Sequence, residues 1–303
     1  MGDAMPSADR LQLLRQDLAN VYRPQREWIE GHGVLIVVAH FFSGIGAGAW
    51  LLSALFEVRV GLWLGFVSLG LCSGLAHLVF LGRPERFWRI VRRPHASWIS
   101  RGIWSMAVLL ASGGAYLSLD LPPAGRALAL ALSLAGAVGV LLYEGFVYAA
   151  SVAIPFWRTP LLPVLYVAYG VRGGAALLLV AGALGGAAFD LEAMEAIKLW
   201  VVASTAVLVA LLLVSARSRG GAAERSMQRL LLGPLAPAFY GGTVLLGIVV
   251  PLALGAAHAF GTGGLAVLAA IGVASLLGDF YVKYCVVKAG VYVPTVGALG
   301  PAG

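Results

Sequence analysis

The chain has 303 residues, 60% of them hydrophobic and 12% charged, with a mean hydropathy of +0.89. A soluble domain carries roughly 25% charged residues, so this composition excludes a water-soluble globule and points to a polytopic membrane protein. The formal net charge of +7 does not point to nucleic acid, because the basic residues line membrane-flanking loops and come with no nucleic-acid-binding fold.

Residues 7–19, SADRLQLLRQDLA, set Leu11, Leu14 and Leu18 at helical spacing between charges. That pattern predicts a short helix for the membrane surface or a partner. The segment lacks a short apolar stretch with a small-residue cleavage site, so no cleavable leader is expected. Eight apolar runs follow, near the 20 residues that a 30 Å hydrocarbon core requires at about 1.5 Å per residue. They cover 34–56, 60–81, 102–121, 127–153, 161–188, 196–215, 236–260 and 264–287. The expected fold is an all-α membrane protein, a bundle of about eight transmembrane helices over 34–288, with an N-terminal segment at 1–33 and a tail at 289–303. The fourth and fifth runs are long enough to tilt. Between them, Trp157 with Pro155, Pro160 and Pro163 reads as a rigid interfacial turn. Cys72 and Cys285 fall inside spans and can furnish neither a four-ligand iron–sulfur cluster nor a Cys-x-x-Cys zinc site.

An even number of spans puts both termini on one side. That side carries 17 Lys and Arg, whereas the other has only Arg59, Arg126 and Lys198. The positive-inside rule then places the termini in the cytoplasm. Six of the arginines crowd into LGRPERFWRIVRRPHASWISR, residues 81–101, against a single acid, Glu85. Phe87 and Trp88 interleave with them, as expected of a segment at headgroup level.

Ionisable groups inside a bilayer are costly and face a partner or a wet cavity. At about 1.5 Å per residue, His40 lies ~9 Å, His77 ~6 Å, Tyr143 and Glu144 ~14 Å, and Arg172 ~16 Å from the terminal side. Asp279 and Lys283 occupy the same half of the last span, four residues apart. Shared depth predicts a Glu144–Arg172 pair, and the i,i+4 spacing predicts an Asp279–Lys283 pair along one helix. Such pairs either hold a bundle together or line a proton path. Gly44 and Gly48, at four-residue steps after His40, predict close helix packing and could also let a flat ring reach that histidine.

Three stretches carry a resemblance: LGRPERFWRIVRRPHASWISRG from Leu81, HFFSGIGAGAW over 40–50, and YEGFVYAASVAIPFWRTPLLP over 143–163. Together they resemble the polysulfide reductase membrane-subunit (NrfD/PsrC) family over nearly the whole chain. The resemblance implies an integral, quinone-reactive subunit in the bacterial inner membrane. It also implies a four-cluster-type iron–sulfur partner, and often a molybdopterin catalytic subunit. The chain itself would not carry the substrate chemistry. Menaquinone or ubiquinone would be the bound substrate, with no haem or iron–sulfur cluster in this chain. By motif, the family's quinone-pocket histidine and tyrosine fall on His40 and Tyr143. An asparagine that some members carry is Val37 here. Well-known members serve partners outside the cytoplasmic membrane, on the side that charge places inside in this protein.

Quinone chemistry needs a hydrogen-bonding group at a carbonyl oxygen and a route for protons, which His, Tyr and carboxylates supply. The expected quinone-binding and proton-relay set is His40, Tyr143, Glu144, Arg172, His77, Tyr148 and Asp279. Arg83, Arg86, Arg89, Arg92 and Arg93 are the expected docking residues, since arginine forks suit carboxylates on a partner. Membrane lipid is the remaining expected partner. Two other readings fit the same residues: a haem b anchor ligated by His40 and His77, and a small-solute transporter, for which no convincing internal repeat is visible.

Overall fold

The computed structural model describes residues 22–185, 189–261 and 263–293; the helix expected over 7–19 lies outside them. In chain order the helices are α1 (Val34–Leu55), α2 (Arg59–Phe80), α3 (Trp98–Ser118), α4 (Pro123–Ala149), α5 (Leu161–Gly185), α6 (Leu191–Arg219), α7 (Gly221–Leu231), α8 (Ala238–Ala259) and α9 (Leu265–Ala289). Among the described residues there is no strand, only an isolated bridge between Pro24 and Val291. The fold is an all-α membrane bundle.

Seven of these helices, all but α3 and α7, are long and apolar enough to cross a membrane. The 21 residues of α3 fall short on apolarity because Ser100, Arg101, Ser105 and Ser112 dilute it. Its packing nonetheless makes it the eighth span. Trp98 stacks on Phe146 at one end, with ring centroids 4.2 Å apart, and Arg126 lies 4.2 Å over Tyr116 at the other. So α3 runs antiparallel to α4 along most of its length and crosses with it. Gly136 allows this approach, since a Cβ there would lie 2.7 Å from the Leu109 nitrogen.

Local chemistry moves some boundaries from those expected. The Asp190 carboxylate accepts from the Ala193 amide at 2.9 Å, capping α6 several residues before position 196. Pro123 sits in the first turn of α4, where a missing N–H costs nothing. Two stretches, Ser68–Ser73 in α2 and Ala238–Val249 in α8, are π-helical. This wide geometry is rare and concentrates at functional sites. In α8, Gly242 abuts the ring of Tyr281 so closely that any Cβ would overlap it.

The end bearing the termini is stitched together. Gln25 donates to the Val287 carbonyl at 2.5 Å and Trp157 Nε1 to the Val286 carbonyl at 2.9 Å, while Val293 N reaches Ala153 O at 3.0 Å. Trp157 is 1% exposed and stands with Trp28 and Tyr148 in one aromatic cluster. It is therefore a buried plug within the turn expected between α4 and α5. Lying across this end, α7 buries Ala222, Ala223, Ser226, Met227 and Leu230 and leaves Arg225 exposed. Three- and four-residue spacing of those apolar residues is the sequence signal for α7, a helix too short and polar to stand out beside the apolar runs.

Candidate functional site

α1 and α5 meet backbone to backbone. A Cβ at Gly48 would overlap the Gly170 carbonyl, and one at Gly174 would overlap the Gly48 backbone. This close approach, with α4 and α9 alongside, gathers side chains from four helices at the middle of the bundle.

Nearest the stitched end, His40 of α1 bonds through Nδ1 to the Tyr148 hydroxyl of α4 at 2.9 Å. Its Nε2 has no hydrogen-bond partner among the described residues. His77 of α2 and Tyr143 of α4 complete an aromatic group around it, with ring centroids 5.7 and 5.6 Å from His40. Tyr143 Oη lies 3.5 Å from His77 Nε2, a loose contact, while His77 Nδ1 is committed to the Ser73 carbonyl at 3.0 Å. Gly102 of α3 admits the Tyr143 ring, which any Cβ there would strike. A haem between His40 and His77 would need His77 Nε2, and Tyr143 stands against that atom.

Deeper lie the charges, and they pair differently from the expectation. Glu144 Oε2 accepts from Lys283 Nζ at 2.6 Å, and Arg172 Nε lies 2.9 Å from Asp279 Oδ1. The expected partners, Glu144 with Arg172 and Asp279 with Lys283, are exchanged. Glu144 and Arg172, expected at one depth, meet α9 one turn apart, and that difference in level decides the pairing. Asp279 and Lys283 share one face of α9, yet that face meets α5 at one level and α4 at the next.

Glu144, Lys283 and Arg172 have further partners. Ser43 donates to Glu144 Oε1 at 2.6 Å, and Lys283 also donates to the His40 carbonyl at 2.6 Å. Arg172 donates to Thr205 at 3.0 Å and to the Gly247 carbonyl, in the π-helical stretch, at 2.5 Å. Glu144, Arg172 and Asp279 are fully buried. The Asp279 carboxylate holds its ion pair without an aligned hydrogen bond, so its oxygens keep free acceptor capacity.

The stripe continues along α9. Lys198 of α6 donates to Ser275 at 2.5 Å and to the Ile271 carbonyl at 3.1 Å. Positions 271, 275, 279 and 283 recur every four residues, so this polar face runs about 18 Å along the helix at 1.5 Å per residue. Lys198 is thus a buried bundle residue, not a charge of the far-side loop as expected. Lys283 likewise leaves the tally of the terminal side, and the asymmetry persists without both. Ser43, Thr205 and Lys198 join the site although the sequence did not single them out for it, and Lys283 joins it with a partner other than the one expected. Their signal is a polar side chain inside an apolar run, at the depth of a group already placed there.

The arginine loop stands apart from this interior. Arg83, Arg86, Arg89, Arg92 and Arg93 are all exposed. Arg92 and Arg89 lie 4.3 and 5.4 Å over the half-exposed Trp88 ring. Arg101 acts differently, donating to the Pro94 and His95 carbonyls at 2.8 and 2.9 Å and so holding the loop against α3. Ser100 donates to the Ile90 carbonyl and Trp104 to the Val91 carbonyl, adding two more ties.

Known proteins resemble this chain in sequence. A family model described as "Polysulphide reductase, NrfD" matches residues 31–295. A Haemophilus influenzae protein named "Protein NrfD homolog" is 24% identical over 260 residues, which is 72% of the present chain and 80% of that protein. The C subunit of the Wolinella succinogenes polysulfide reductase is 26% identical over 259 residues, 73% of the present chain and 82% of that protein.

Proposed function

The chain belongs to the NrfD polysulphide reductase family, and from that premise we propose that it is the quinone-reactive membrane subunit of a multi-subunit oxidoreductase. The carrying observation is the His40–Tyr143–His77 group set against the buried Glu144–Lys283 pair. A quinone takes up two electrons and two protons on reduction and returns them on oxidation. His40 Nε2 and Tyr143 Oη, the latter held only by a loose contact to His77, are the polar atoms suited to its carbonyl oxygen. Tyr148 fixes the orientation of the His40 ring through Nδ1, and the tautomer follows from which of the two donates. Glu144 stands behind them as a carboxylate able to exchange a proton, with Lys283 and Ser43 holding it in place.

Access from the bilayer fits the packing. Gly74–Phe80 of α2 packs on α1 and on the Gly31–Gly33 turn, whereas α3 packs on α4 and on residues 59–73 of α2. His77 is half-buried at that seam, flanked by exposed Leu75 and Leu78. Replacing His40 with alanine or Tyr143 with phenylalanine removes one hydrogen bond, worth ~1–3 kcal/mol, so a 5- to 150-fold loss in quinol-analogue affinity or turnover is expected. Stopped-flow electron exchange in the assembled complex measures it. Unchanged kinetics in both variants would remove the site.

The partner reading extends this. The Wolinella protein is named as one lettered component of a polysulfide reductase, which states that it works with other components. For the present protein we place an iron–sulfur subunit, with a molybdopterin catalytic subunit beyond it, on the end that carries the exposed arginines. Reversing Arg86 and Arg89 to glutamate is expected to release the partner from membranes, and lysine replacements to weaken it less. Retention of the partner by the reversed protein in high salt defeats the docking role. By the positive-inside rule the same charges support a cytoplasmic location for this end of a bacterial inner-membrane protein. Reporter fusions after Gly303 and near Asp190 should read cytoplasmic and external; the opposite result returns the partner to the outside.

A further inference from the structure

At the end opposite the arginine loop, the turn joining α1 to α2 and the turn joining α3 to α4 enclose a cavity of about 370 Å³. Arg59, in the first turn of α2, and Arg126, in the first turns of α4, both line it. Among the described residues they are the only two Lys or Arg at that end outside the buried helix faces. Sixty-odd residues of sequence separate them, yet the fold brings both to one hollow. No carboxylate among the described residues pairs with either: the ion pairs there are made by other residues. Arg126 is oriented instead by Tyr116, whose ring lies 4.2 Å beneath its guanidinium.

Two more features mark the hollow as built. Ser53, behind its wall and packed on Gly61, is fully buried, and its hydroxyl has no hydrogen-bond partner among the described residues. A buried orphan hydroxyl costs free energy unless something satisfies it. Glu57, also on the wall, is the one described residue other than glycine with positive φ, at 57°. A left-handed glutamate is unfavourable on its own and concentrates where a ligand or function holds it. The hollow thus offers two guanidinium groups without a carboxylate partner among the described residues, and one carboxylate. Below it, Leu62 and Leu130 line the wall, and Leu55, Val60 and Leu128 face outward as exposed apolar surface.

We propose that this cavity binds the headgroup of a phosphatidylethanolamine molecule from the leaflet opposite the arginine loop. The phosphodiester bridges Arg59 and Arg126, which suit it as bidentate donors. The ammonium meets Glu57. The acyl chains follow the apolar surface toward the bilayer centre. Glu57 decides among headgroups, because a primary ammonium can donate to a carboxylate and a quaternary choline cannot. This site is independent of the quinone reading, for it lies at the other end of the bundle.

The test is native mass spectrometry of the full-length protein, delipidated in detergent and then offered phosphatidylethanolamine, phosphatidylcholine or phosphatidylglycerol at equal concentration. One ethanolamine lipid should be retained per protein molecule, about tenfold or more over the choline lipid. Arg59→Gln with Arg126→Gln should abolish retention. Glu57→Gln should erase the preference between ethanolamine and choline while lipid binding persists. These are surface side chains, and a thermal melt matching that of the parent protein checks each fold. Should the double variant fail to fold, Arg59→Gln and Arg126→Gln made singly still test the site by weakening retention. Equal retention of ethanolamine and choline lipids by the parent protein overturns the proposal, as does undiminished retention in the double arginine variant. A preference for phosphatidylglycerol overturns the role of Glu57 and with it the headgroup assignment. Displacement of the lipid by millimolar inorganic phosphate makes the hollow a free-anion site and overturns the lipid source.

Discussion

Replacing Glu144 with methionine is expected to destabilise the protein by about 3–5 kcal/mol, because it strands a buried ammonium without its countercharge. Lys283 would keep only the His40 carbonyl as an acceptor, and α1 passes too close to offer water: a Cβ at Gly44 would already lie 2.7 Å from Lys283 Nζ. Replacing Lys283 with methionine in the same protein should recover most of the loss, since two well-packed apolar side chains can equal a buried ion pair. Ser43 would retain its bond to the Ala39 carbonyl at 3.0 Å and would not be orphaned. Unfolding in mixed detergent measures each variant. The double-mutant cycle should give a coupling of about 2 kcal/mol or more for Glu144 with Lys283, and a much smaller one for Glu144 with Arg172. A larger coupling for the second pair would return the pairing that depth alone suggests.

That exchange of partners locates the limit of sequence reasoning in this molecule. Rise per residue is fixed, so approximate depths for His40, Tyr143, Glu144, Arg172 and Asp279 follow from counting, but Glu144 and Arg172 meet α9 one turn apart rather than at one level. Azimuth is set by how helices pack, and packing here depends on glycines whose partners are remote in sequence. Gly48 meeting Gly170 fixes how α1 and α5 face each other, and nothing near either residue names the other. Lys198 misleads for a different reason. It follows Asp190, Glu192 and Glu195, which read as a charged loop, but the Asp190 cap starts the helix at Leu191 and carries Lys198 well inside. Span existence is legible throughout because about 20 apolar residues admit few other fates. The buried state of Trp157 is not, since an indole beside three prolines looks the same in sequence whether it meets lipid headgroups or the Val286 carbonyl.

Gly48→Val should be nearly as damaging as loss of a buried charge, although it changes no polar group. The added Cβ would fall on the Gly170 carbonyl and close to the Val171 backbone, so no side-chain rotation relieves it. One helix must move. Overpacking of this kind costs about 1–3 kcal/mol where side chains can yield, and more where backbone must. The displacement would not stay local. Gly44, one turn away on α1, faces Glu144 and Lys283, and Gly173 on α5 faces Asp279, so spreading α1 from α5 loosens both ion pairs together. Gly44→Ala would act differently, pressing on the flexible end of Lys283 and leaving the helix contact intact. The expected result is therefore a loss of about 3 kcal/mol or more for Gly48→Val and a smaller loss for Gly44→Ala, read from detergent unfolding. Equal stability of Gly48→Val and the parent protein would mean that α1 and α5 do not touch at this point, and the arrangement of buried charges built on that contact would fall with it.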